Sequence, residues 1–344
     1  MADFEVSIAG IPVGPGERRR VDVPLGKRVS GNQVSLPIEV ICGRSPGPKL
    51  FVCAAIHGDE IGGVEIIRRV LAHRGLARLR GALIAVPIVN LYGFVGMTRY
   101  LPDRRDLNRS FPGSPTGSLA SRLADLFLSQ VVANATHGID LHTGAVHRSN
   151  LPQIRACLDD PETERLAHAF GVPVVLNANL RDGSLRQAVL ERQVPMLLYE
   201  GGEALRFDEH AIRAGTRGVL RVMRALGMIP RRKRSAVERR RSNKPFVAAS
   251  THWLRAPESG LLRARAMLGS AVAPGDCLGI VTDPLGATDT KVVAEKAGVV
   301  IGRTELPLVN EGDALFHVAA FDAVDDVVSS LEEFDEQLAS RVRA

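Results

Sequence analysis

From about Leu36 to Leu226, short apolar runs alternate with stretches of helical periodicity, and this alternation admits few folds. Residues 38–42, 50–55, 82–89, 138–141, 172–176 and 196–199 read as strands. Residues 62–74, 118–133, 161–170, 184–192 and 208–226 space their apolar side chains as helices do. The pattern predicts an α/β fold, a mixed sheet flanked by helices on both faces. Any site is expected at the carboxyl ends of the strands.

The flanks differ in texture. Residues 1–35 hold short strand-like pieces separated by Gly and Pro turns, expected at the edge of a main domain spanning 1–230. Residues 231–245 contain the basic run Arg231, Arg232, Lys233, Arg234 and then Arg239, Arg240, Arg241, read as a solvated linker. Residues 246–322 carry many short apolar runs broken by Gly, Pro and Asp, which predict a separate small C-terminal all-β domain. Residues 323–344 have helical character.

Composition removes several function classes. Aromatics make up 4% of the 344 residues and no nucleic-acid motif accompanies the basic run, so nucleic acid is not expected as a partner. The longest apolar stretch, 82–97, is broken by Pro87, Asn90 and Gly93, which argues against a membrane span. No signal-peptide pattern is read at Met1, and the four scattered cysteines suit a reducing compartment, so a cytoplasmic location is expected.

The chemistry lies where apolar runs stop. His57 and Glu60 follow the run 50–55, and His142 follows Ile139-Asp140-Leu141. A His and a Glu three residues apart can face one ion if the segment turns there, and a distant His from another strand end completes a three-ligand zinc (Zn2+) site with room for water. Glu200 ends the apolar run 196–199 before Gly201 and Gly202, and is the candidate general base. Arg99 could stabilise a developing oxyanion. Asn108 and Arg109, in Asp106-Leu107-Asn108-Arg109, offer donors to a substrate carboxylate. Asp140 could orient His142. His147, Arg148, Asn150 and Arg186 are further candidates for the pocket wall, with Arg148 and Arg186 taken as substrate-binding. The remaining histidines, His317 among them, are expected at the surface or in the core, and the β domain shows no evident chemical residues.

Together, His57-Gly58-Asp59-Glu60, Asp106-Leu107-Asn108-Arg109, Asp140-Leu141-His142 and Glu200-Gly201-Gly202 resemble the succinylglutamate desuccinylase/aspartoacylase family, relatives of the zinc carboxypeptidases. The later β region resembles that of the subgroup containing N-acetyl-diaminobutyrate deacetylases. The resemblance implies zinc held by His57, Glu60 and His142, water activated by Glu200, and an N-acyl amino acid bound by Arg99, Asn108 and Arg109. The stretch 100–105 is longer than in the aspartoacylases themselves, which argues against that activity.

The expected function is a zinc-dependent amidohydrolase acting on an N-acyl amino acid or related small amide. The alternatives are a metallocarboxypeptidase for short peptides and a non-catalytic binding protein on the same fold. A homo-oligomer is expected, with the β domain shaping the site entrance or mediating contacts between copies.

Overall fold

Strands that are apolar on both faces must be covered on both sides, and four such strands organise this fold. In the computed structural model, which describes residues 4–27, 29–178, 180–231 and 245–339, they are Ser45–Ala54, Arg80–Val86, His137–Gly144 and Met196–Glu203. They run parallel, in the spatial order Arg80–Val86, Ser45–Ala54, His137–Gly144, Met196–Glu203. Gln33–Cys42 and then Arg18–Lys27 extend one edge antiparallel, and Arg148–Ala156 extends the other.

Alternation along each strand divides the core between two faces. Phe51, Cys53, Ile84 and Met196 lie under helices Leu119–Gln130 and Leu185–Leu190. Leu50, Val52, Leu141 and Tyr199 lie under Gly62–Leu71, Pro161–Phe170 and Glu209–Ala225. Local sequence sets the helix ends. Asp160 accepts a hydrogen bond from Thr163 N ahead of Pro161, and Gly171 closes the same helix with φ 79°.

The region after the basic run is β, but it continues the central sheet instead of standing apart. Gly302, Arg303 and Thr304 pair with Asn150, Ser149 and Arg148. Gly298–Thr304, Ala314–Ala320 and Ser250–Arg255 then follow as successive neighbours. A second sheet is built from Asp289–Val293, Cys277–Thr282, Gly260–Ala264 and Leu308–Val309. A composition break at the basic run reads as a domain boundary, whereas long-range strand pairing leaves no local mark. The basic run itself lies outside the described residues, except Arg231. Helix Val324–Ala339 sets Val327 and Leu331 into a cluster with Leu151 and Ile301. Among the described residues, no helix is long and apolar enough to cross a membrane.

The strand Arg148–Ala156 takes up residues read from sequence as pocket-wall loop. Its first three residues are half-buried and polar, and Pro152 interrupts its pattern, so alternation is hidden there.

Helix packing on the second face depends on Gly218. A Cβ there would stand 2.0 Å from Cε1 of the fully buried Phe170. Gly218→Ala is expected to cost about 1–3 kcal/mol through overpacking, read as a lowered urea midpoint with an unchanged slope.

Candidate metal centre and active site

His57 is placed by a turn just past the Ser45–Ala54 strand. Ala55 takes φ 51°, and the chain is pinned there by Val89 N donating to Ala54 O and Asn90 N to Ala55 O. Gly58 is required next, because a Cβ on it would lie 2.0 Å from the Gly93 carbonyl carbon. Glu60 N then donates to His57 O at 3.1 Å, which folds Glu60 back beside the imidazole. His142 arrives from the neighbouring parallel strand. Glu200 sits directly opposite His142 in the next strand, where equivalent positions share a face.

The three residues converge. His57 Nδ1 is 2.6 Å from Glu60 Oε1, and His142 Nδ1 is 2.8 Å from Glu60 Oε2. One donor atom from each lies within 4.8 Å of the other two, and all three residues are buried. Each imidazole turns its other nitrogen toward an outer carboxylate. His142 Nε2 is 2.7 Å from Asp140 Oδ2. His57 Nε2 is 3.3 Å from Asp106 Oδ1, an electrostatic contact without hydrogen-bond geometry. Two imidazoles facing inward and braced from behind by carboxylates form a donor set suited to a divalent cation.

Electrostatics supports the same reading. Burial works to raise the Glu60 carboxyl, but the two imidazoles outweigh it and hold the group well below the usual carboxylate range. Burial likewise works on Asp106, and is outweighed by His57 and Arg99. For His142 burial works downward, yet Asp140 and Glu60 carry it well above the ordinary imidazole value. Carboxylates thus gather more negative charge here than neutral imidazoles could balance, which is the condition a bound cation answers.

Arg99 completes this side. Its guanidinium donates to Asp106 Oδ2 at 2.9 and 3.1 Å and lies 3.5 Å from Glu60 Oε1. Asn90 holds the arginine's backbone, donating to Arg99 O at 3.2 Å. On the other side, Glu200 Oε2 accepts from Asn150 Nδ2 at 2.7 Å, and Arg155 Nε lies 3.5 Å from Glu200 Oε1.

Residues 46–226 match the profile of the succinylglutamate desuccinylase/aspartoacylase catalytic domain. The chain belongs to this family. An N-alpha-acetyl-L-2,4-diaminobutyric acid deacetylase from Halomonas elongata is 27% identical over 313 residues, covering 87% of each chain. The product-bound ectoine utilization protein EutE (DoeB) from Ruegeria pomeroyi is similar in structure, with TM-score 0.81 and 25% identity over 93% of this chain and 100% of that one. A succinylglutamate desuccinylase/aspartoacylase from Rhodobacter sphaeroides gives TM-score 0.77 and 26% identity over 89% and 95%.

Other sequence-derived candidates of this family member take different positions. Asn108 is buried, and its Oδ1 accepts from Leu185 N at 2.9 Å, which fixes the start of helix Leu185–Leu190. Arg109 is exposed and donates to the Asn108 carbonyl. Arg186, in the first turn of that helix, is buried. Desolvation, with Arg155 and Arg181 adding to it, brings its guanidinium down to about 10. Arg148 lies over Trp253, its guanidinium carbon 5.5 Å from the ring centroid.

Two residues near Glu200 escaped the sequence reading, and a third, His317, is a core residue of the C-terminal strands. Arg155 and Gln153 interrupt the apolar run 151–156, and Gln153 stands opposite Glu200 in register. His317 sits in Ala314–Ala320, buried and stacked on Trp253 at 4.6 Å between centroids. A lone His or Arg inside an apolar strand was the available signal. Burial, then the charges of Arg155, His252 and Arg181, push the His317 imidazole down to about 3.

Between about pH 3 and 6.5 the unfolded chain therefore protonates this imidazole while the folded chain does not, so stability falls as pH drops through that window. The slope from this group approaches about 1.4 kcal/mol per pH unit. Relative to the parent, His317→Gln is expected to flatten the acid side of the stability profile by about that slope, measured by urea unfolding across this range. An unchanged slope contradicts a buried neutral imidazole.

Proposed function

We propose that this protein is a zinc-dependent deacylase that hydrolyses the amide of an N-acyl amino acid. The observation that carries the reading is the placement of the Glu200 carboxylate. It stands opposite His142 in the parallel register, beside a His57–Glu60–His142 group that Arg99 also approaches. The name of the Halomonas elongata relative, a deacetylase of an N-acetylated amino acid, supports the same chemistry.

Zinc held by His57, Glu60 and His142 would polarise both a water and the acyl carbonyl. Glu200 takes the proton of the attacking water and delivers it to the departing amine. Asn150, and Arg155 at longer range, hold the Glu200 carboxylate in position for both transfers. Arg99, oriented by Asp106, faces the negative charge that develops on the carbonyl oxygen. Arg109 and Arg186 are the cations assigned to the substrate's α-carboxylate, and Asn108 acts indirectly by fixing the helix that carries Arg186.

Glu200→Gln keeps the size of the side chain and removes the base. It is expected to retain about one zinc per chain while kcat on an N-acyl amino acid falls by about 10²–10⁴. Metal analysis and steady-state kinetics on the same preparation read both quantities, and unchanged kcat contradicts the assignment.

A further inference from the structure

Asp140 is the more deeply buried of the two carboxylates behind the imidazoles, and most of what surrounds it is apolar. Equivalent positions of paired parallel strands share a face. On that face Asp140 lies level with Cys53 on one side and Leu198 on the other. Two positions away along its own strand stand Gly138 and His142. Gly138 brings no side chain, and the ring of Phe51 takes its place, since a Cβ there would stand 2.2 Å from Phe51 Cζ. Of the four neighbours, only Cys53 and His142 have side chains that can donate a hydrogen bond.

Both are used. Cys53 Sγ donates to Asp140 Oδ1 at 3.3 Å, and Asp140 Oδ2 faces His142 Nε2 at 2.7 Å. Cys53 is 0% exposed, and burial, with Asp140 adding to it, pushes its thiol well above the ordinary value. The sulfur therefore keeps its proton and serves as a donor. The Asp106 side is built differently. There Oδ2 accepts twice from Arg99 and Oδ1 accepts from Asn108 N at 2.8 Å, so a charged group and a backbone amide hold the carboxylate. On the His142 side the corresponding hold is one thiol.

We propose that Cys53 is a positioning residue of the metal centre, which holds Asp140 in the orientation that braces His142. This rests on the metal site of the reading above, but concerns a residue that touches neither metal nor substrate. A carboxylate at this depth needs a partner for each oxygen. Without the thiol, Oδ1 is left in an apolar wall, and turning the carboxylate toward another donor takes Oδ2 away from the imidazole. His142 then loses the contact that fixes its ring behind the metal. A thiol suits the position because it packs as a small apolar group and donates only weakly. It fixes the carboxylate while leaving most of its charge to the imidazole.

Zinc affinity, measured by competition with a chromogenic chelator, tests this in the parent, Cys53→Val, Asp140→Ala and the double variant. Urea unfolding of each metal-free protein checks the fold. Cys53→Val keeps an apolar strand residue of similar size and removes the donor. It is expected to bind zinc about 10–100-fold more weakly than the parent, as loss of an outer partner does. In the Asp140→Ala background the same substitution is expected to change nothing further, because its route to the metal is gone. Cys53→Ser, which keeps a donor, is expected to bind zinc more tightly than Cys53→Ala, and this pair avoids a β-branched side chain. Parent-like affinity in Cys53→Val, the same loss in both backgrounds, or equal affinity in the Ser and Ala variants overturns the proposal and leaves the metal centre standing. A parent protein that binds no zinc overturns both.

Discussion

The interaction on which the site depends is the Glu60 carboxylate shared between two imidazoles. Glu60 is 2% exposed, and an ionised carboxylate at that depth is stable only with several partners. It finds them in separate parts of the chain: His57 in its own turn, His142 and the Thr143 amide at the neighbouring strand end, and Arg99 beyond the next strand. The two imidazoles and Arg99 are then fixed by further contacts, through Asp106, Asp140 or Asn90. One buried charge thus ties together the carboxyl ends of the parallel strands, and the parallel register brings Glu200 to the same place.

The C-terminal strands matter to the site because they are part of its sheet. Pairing of Gly302 with Asn150 carries the hydrogen-bond ladder from the parallel core into Ala314–Ala320 and Ser250–Arg255. Asn150, which holds Glu200, lies on the strand that makes this connection. Shifts in the C-terminal strands would therefore reach Glu200 through one side chain. This is a positional role for residues that carry none of the family motifs.

How much could be read beforehand followed the range of each interaction. The His57–Glu60 pair depends on one turn, and Asp140 and His142 on two positions of one strand, so all four were legible as local patterns beside apolar runs. Asn108 was read as a substrate donor from its local motif alone, whereas the bond its amide oxygen accepts from Leu185 N comes from a partner 77 positions away. The local signal at Arg155 and His317 is only that of polar residues in apolar strands. Arg155 reaches Glu200, and His317 joins the same sheet, through strand pairings across some 50 and 150 positions, which no local spacing encodes. The β character of the C-terminal region was legible for the opposite reason, since short apolar runs between turns need no long-range information.

The central claim is that His57, Glu60 and His142 hold one metal ion at the end of the parallel strands. Anomalous diffraction at the zinc edge, from crystals of the zinc-loaded protein, measures this directly. A single peak per chain, bonded to those three side chains with Asp140 and Asp106 behind the two imidazoles, is expected. A peak held by other residues, or none in protein that retains zinc in solution, would contradict it.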